Sequence, residues 1–223
     1  MELNTLVDDI FNSHYKFYSS LQSETIKQQA GQMCQVEADY QGRVLYELIQ
    51  NAVDRADHRI KVVLEGNRLL VGNDGQRFTF RHNYDYQGGS VSRGDFQALC
   101  SISTSAKEIK NSIGNKGVGF KSTFSASATG YVNIHTSGKI IGYDTPVHIS
   151  FRLYNLFDDK EELNRLPLAD DVKEFIARNI DISQKENSLW GVPGYYFPVQ
   201  IPLAQEDKIN DWFKEGFVTV IEI

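Results

Sequence analysis

The stretch Gly114-Asn115-Lys116-Gly117-Val118-Gly119-Phe120-Lys121-Ser122 decides how the chain is read. Its three glycines allow backbone dihedrals that side chains forbid, so successive amides can converge on an anion. The residues that follow, 120–126, are expected to form a helix whose first amides point back into the turn. That combination describes a phosphate cradle. The bland alternative is a flexible surface connection.

A P-loop reads Gly-x-x-x-x-Gly-Lys-Ser/Thr. Here Gly114 and Gly119 have that separation, but Phe120 stands ahead of Lys121, and 108–113 is not a β-branched strand. The glycine turn therefore needs another setting.

The 223 residues can bury one core, so one domain, or one with a small annex, is expected. Hydrophobic residues make up 41% and charged residues 23%, an ordinary globular composition, and the net charge of −6 speaks against a broad nucleic-acid face. Cys34 and Cys100 are too few for a disulfide scaffold or a cysteine-rich zinc site and fit a reducing compartment. The start is no signal peptide and no apolar run has membrane-spanning length. A cytoplasmic protein with no membrane partner is expected.

Leu6, Val7, Ile10, His14, Phe17 and Leu21 recur near the helical period, which predicts one helix over 3–29 and an amino-terminal helical arm over 1–34. A second helix is predicted over 36–58. Leu45, Leu48, Ile49, Ala52 and Ala56 share its apolar face, while Glu47, Asn51 and Asp54 fall in a narrow stripe opposite. The stripe is either the wet side of an amphipathic helix or a site in which Asn51 holds a metal ion through its side-chain oxygen and Glu47 orients or deprotonates a water. Residues 59–71 predict a hairpin turning at Gly66-Asn67, whose return strand ends in Asn73-Asp74-Gly75. That end is a plain turn, or a place where a fixed side-chain oxygen accepts from the amine of a flat base.

A polar, turn-rich stretch over 80–107, with a short helix at 95–100 and Lys107 near its end, is long enough to be a lid over a ligand. Beyond the glycine turn, strands are expected at 131–136, 139–143 and 147–153, a helix at 170–178, an edge or irregular strand at 194–203, a short helix at 207–215 and a last strand at 217–223. A chain stopping on a bare apolar strand is expected to be the front part of a longer one.

In this order the elements resemble the ATP-binding domain shared by the ninety-kilodalton heat-shock chaperone, DNA gyrase B, the MutL mismatch-repair protein and the sensor histidine kinases. The resemblance runs from about residue 35 to 198. Within the group, Glu47-Leu48-Ile49-Gln50-Asn51-Ala52 and 113–122 are most similar to the branch of the large chaperone-like protein sacsin and bacterial proteins with sacsin-like amino-terminal domains. The resemblance implies an α+β two-layer sandwich of the Bergerat type, with a mixed, mostly antiparallel sheet covered by helices, as an ATP-binding domain over 35–223.

It also implies roles: Glu47 as the base that activates water, Asn51 as the magnesium ligand, and Asp54 as a further polar contact to the nucleotide. Gly114, Asn115, Lys116, Gly117, Val118, Gly119, Phe120 and Lys121 would wrap the phosphates, with Lys107 contributing from the lid. Asn73, Asp74 and Gly75 align with an Asp-x-Gly-x-Gly motif whose aspartate reads adenine; an amide replaces that aspartate here, and Arg77 replaces the second glycine. A late Gly-Thr pair aligns with Gly194-Tyr195. The implied activity is slow, magnesium-dependent ATP hydrolysis that drives lid closure and a conformational or assembly change, in bacterial defence against phage or in nucleic-acid processing. The implied partners are a second copy, through the arm and lid, and carboxy-terminal modules or partner proteins. Nucleic acid would not be held by this domain alone. A nucleotide-gated assembly module that binds ATP without turnover is the competing reading.

Overall fold

The computed structural model describes residues 2–39, 42–88, 92–101, 119–185, 191–202 and 208–223. At its centre is a seven-stranded, mostly antiparallel sheet in the order β1 (Ile60–Glu65), β2 (Arg68–Asn73), β9 (Thr219–Glu222), β4 (Tyr131–Ile140), β5 (Pro146–Tyr154), β8 (Val199–Gln200). The seventh strand, β3 (Thr79–Phe80), runs parallel to the end of β4. A separate pair is formed by β6 (Leu156–Phe157) and β7 (Val192–Pro193). The architecture is α+β, with helices flanking the sheet.

Strand alternation gives the sheet two different faces. On the front face Val71, Ile134, Phe151 and Leu153 join the main core with Leu6, Ile10 and Phe11 of α1 (Leu3–Tyr18) and Ile26 and Met33 of α2 (Ser23–Asp39). Leu48 and Ala52 of α3 (Val44–Val53), Phe96 of α4 (Asp95–Leu99), Leu163 of α5 (Lys160–Arg165) and Val172, Phe175 and Ile176 of α6 (Asp170–Lys185) complete it. On the back face Leu70 and Val220 meet Ile209 and Trp212 of α7 (Lys208–Lys214) and Phe217. Gly72 makes that contact possible, since a Cβ there would lie 2.8 Å from the Trp212 ring.

Several predicted boundaries differ for identifiable reasons. The helix expected over 3–29 is two: Ser20 Oγ donates to Phe17 O at 2.6 Å and Leu21 N to Tyr18 O, so local bonds turn the chain between α1 and α2. The helix expected over 36–58 is divided as well. Residues 36–39 end α2, Gly42 in the left-handed region (φ 82°) breaks the path, and α3 covers only Val44–Val53. Leu45, expected on its buried face, is 49% exposed.

The strands expected at 131–136 and 139–143 are one strand, β4, passing straight through Ser137-Gly138. Gly138 is needed because the Phe80 ring lies against it, 2.6 Å from where a Cβ would be. The helix expected to end near 178 continues to Lys185, burying Asn179, Ile180 and Ser183. The segment after Phe120 is a 3₁₀ helix, Gly119–Ala126, in which Thr123 and Ser125 hydroxyls donate to the carbonyls three residues back at 2.6 and 2.7 Å. The strand expected at 217–223 is the central β9, between β2 and β4.

Candidate functional site

The helix with the polar stripe touches two of the described elements that flank the sequence motifs. α3 packs against β2, whose end carries Asn73, and against the 3₁₀ helix that follows the glycine turn. Its buried side is Leu48 and Ala52; Glu47, Asn51 and Asp54 are half-buried on another flank. Asp54 keeps Oδ2 buried without a hydrogen-bond partner. Lys107, Gly114, Asn115, Lys116, Gly117 and Val118 lie outside the described residues. Gly119 opens the 3₁₀ helix, and Phe120 packs into the core, 7% exposed.

Beneath this helix layer a polar row crosses the front face of the sheet. Asn73 on β2 is opposite Thr219 on β9, which is opposite Thr136 on β4. All three are buried, at 5%, 8% and 0% exposure, while the next row is Val71, Ile221 and Ile134. Thr136 Oγ1 donates to Val218 O at 2.9 Å and lies 3.2 Å from Thr219 Oγ1. Asn73 Nδ2 donates to Asp74 O at 3.0 Å, an arrangement that presents Oδ1 as its acceptor.

Asp74 is occupied differently from its neighbour. Its Oδ1 accepts from the backbone amides of Asp57, His58 and Arg59 at 3.1, 3.0 and 2.9 Å, and Oδ2 accepts from Arg59 Nε at 3.3 Å. The amides of His58 and Arg59 hold its carboxyl at a pKa of about 2. Gly75 completes the clamp with φ 94°, in a space where a Cβ would be 2.4 Å from Asp57 N. Asp74 and Gly75 thus pin the loop that leaves α3. Arg55 in that loop reaches Gln76 and Asp95, and Asp95 also accepts from Thr79 N and Oγ1 at 2.9 and 2.7 Å, which ties α4 to β3.

Lys121 is turned into the chain, 3% exposed, with Nζ donating to Ser101 O and 4.0 Å from the centre of the Tyr195 ring. These described partners include no carboxylate, and burial pushes its pKa down to about 7 against an upward pull from Cys100. It joins the end of α4 to the 3₁₀ helix. The pair Gly194-Tyr195 lies in a 3₁₀ turn backed by Tyr154, not beside Asn73. The strand residue beside Asn73 is Thr219, which the sequence reading missed. The signal available was the run Val218-Thr219-Val220, a hydroxyl among β-branched residues in the last strand, but its partner strand is not written locally.

Among the described residues no three His, Cys, Asp or Glu side chains gather as a metal cage, and no helix is long and apolar enough to cross a membrane. Comparison with protein-family models, curated proteins and solved structures found no match. The functional reading rests on the residues and their arrangement.

Proposed function

We propose that this chain is a Bergerat-type ATP-binding domain that hydrolyses ATP slowly with magnesium. The observation that carries the reading is the polar row Asn73-Thr219-Thr136, buried on the helix-covered face of the sheet, beneath the layer to which α3 brings Glu47 and Asn51. Buried polar side chains at adjoining strand positions cost stability unless they bond to one another or to a ligand. A flat base with an exocyclic amine would give Asn73 Oδ1 a donor.

The donor set also fits magnesium. Asn51 and Glu47 are one helical turn apart, and this ion is usually held by one or two protein oxygens together with phosphate oxygens and waters. The orphaned Asp54 Oδ2 on the same helix would accept from a water of such a shell. Magnesium, when bound, would offset phosphate charge. Asn51 would hold it through its amide oxygen, Glu47 would take the proton of the attacking water, and Asp74 would keep the loop after α3 in place. Closure would then be read by a second copy or a further module, with defence or nucleic-acid processing as the setting.

The test is Glu47→Ala in the full chain. A positioned base acts in the transition state, so ATP affinity should stay within a few fold of wild type while phosphate release at matched occupancy falls by roughly 10²–10⁴. Equal, non-zero rates would remove Glu47 from the chemistry. Tight binding with no turnover in either protein would support the nucleotide-gated assembly module.

A further inference from the structure

β1 forms one edge of the sheet, and among the described residues nothing pairs with its outer side. Edge strands are normally guarded by a bulge, a proline or an inward-pointing charge. β1 has neither bulge nor proline, and its two charges, Lys61 and Glu65, both lie on the back face: its register with β2 runs unbroken from Ile60 opposite Asn73 to Glu65 opposite Arg68. Its front-face side chains are apolar and open to solvent, with Ile60, Val62 and Leu64 exposed by 38%, 42% and 74%. On α3, which packs against β1, Leu45, Tyr46 and Val53 are exposed by 49%, 66% and 52%. Such continuous apolar exposure on two touching elements marks an interaction surface.

The phase of the ladder shows which backbone groups are available. Asp74 N donates to Arg59 O at 3.1 Å, so the pair 59 and 74 is hydrogen-bonded. Alternation then directs the amides and carbonyls of Lys61, Val63 and Glu65 toward β2, and those of Ile60, Val62 and Leu64 outward. We propose that this edge is where two copies of the chain associate, β1 pairing antiparallel with β1 of the second copy about a two-fold axis at Val63.

That register makes the strand self-complementary on both faces. Val62 lies opposite Leu64 of the second copy on the front face, and the outward backbone groups of the two residues bond to each other. Lys61 lies opposite Glu65 of the second copy on the back face. A shift of the axis to Leu64 would set Glu65 against Val63 and lose both charge pairs; a shift to Val62 would set Lys61 against Val63 and leave Glu65 facing Arg59, whose guanidinium already serves Asp74 and the Glu215 carbonyl. Each charge is already oriented on the back face, Lys61 by Glu215 at 2.8 Å and by the Trp212 ring at 4.7 Å, and Glu65 by Lys208. Their ordering cost on association is correspondingly small.

Sedimentation equilibrium on the full chain tests this. A dimer should be present at concentrations up to about 0.1 mM, which detects dissociation constants of about that value or tighter. Val62→Pro removes an outward amide that β2 does not use, so the variant should keep its fold by circular dichroism and lose the dimer. Lys61→Glu and Glu65→Lys should each weaken association by about tenfold by setting like charges opposite each other. An equal mixture of the two variants should recover it, because each then meets the opposite charge in the other. A wild-type monomer at about 0.1 mM, a dimer indifferent to Val62→Pro, or a mixture no tighter than either variant alone would overturn the proposal.

Discussion

His14 is fully buried against the rings of Tyr18, Tyr86 and Phe96, with Nδ1 2.7 Å from the Tyr86 hydroxyl. Burial lowers its pKa from 6.5 to about 3, outweighing the upward pull of the Tyr196 and Cys100 backbone. The unfolded chain therefore takes up a proton that the folded chain refuses, and stability present above pH 6.5 is lost as pH falls toward 3. Asp74 and Glu222 act later. Burial raises the Glu222 carboxyl, but hydrogen bonds from His135, Arg68 and Asn133 outweigh it and bring the pKa to about 2. Depressed carboxyls contribute stability above their unfolded values, near 4, and lose it as pH falls through about 2. Urea midpoints followed from pH 7 to 2 should fall in two stages, and His14→Phe should flatten the upper one while leaving the lower drop intact. Gly75→Ala should cost at least about 1–2 kcal/mol in the same assay, the penalty for a Cβ in the left-handed region before any clash with the loop.

Among the elements, α7 shows how one small residue admits a layer. Gly72→Ala would set a methyl against the Trp212 ring and Thr219 O, so overpacking of about 1–3 kcal/mol is expected, with a shifted Trp212 emission if α7 is displaced. The junction of α4 and the 3₁₀ helix makes a contrasting case. Lys121 there is a buried amine with no carboxylate among its described partners, so Lys121→Met should change stability by less than about 1 kcal/mol at pH 7, where breaking a buried ion pair costs about 3–5. Denaturant midpoints distinguish the two. The start of α3 had a local signal in Gly42 that the apolar period overrode, whereas its end depends on a distant partner, the amides of 57–59 being captured by Asp74 from the far end of the hairpin.

For the whole molecule, the central place of β9 means that the last residues of the sequence complete the sheet. Leu70, Val71, Gly72 and Asn73 pair with it on one side and Asn133 to Thr136 on the other. A chain stopped after residue 216 should lose its cooperative unfolding transition, measured by circular dichroism, because two strands would be left unpaired and the back-face cluster opened. The hairpin at Gly66-Asn67, the inward residues of α6, and α7 were legible in the sequence, and of the edge strand expected over 194–203 the two residues of β8 are strand. So was the placing of Glu47 and Asn51 away from the buried side of α3. Those features depend on side-chain period and turn chemistry within a window as short as the element itself. Only the tertiary structure decided that Thr219 stands beside Asn73, that Phe80 lies on Gly138, that Asp74 clamps the loop after α3, and that Lys121 turns inward. Each of these depends on a partner brought from a distant segment when the sheet closes, and no local pattern records which strand will be the neighbour.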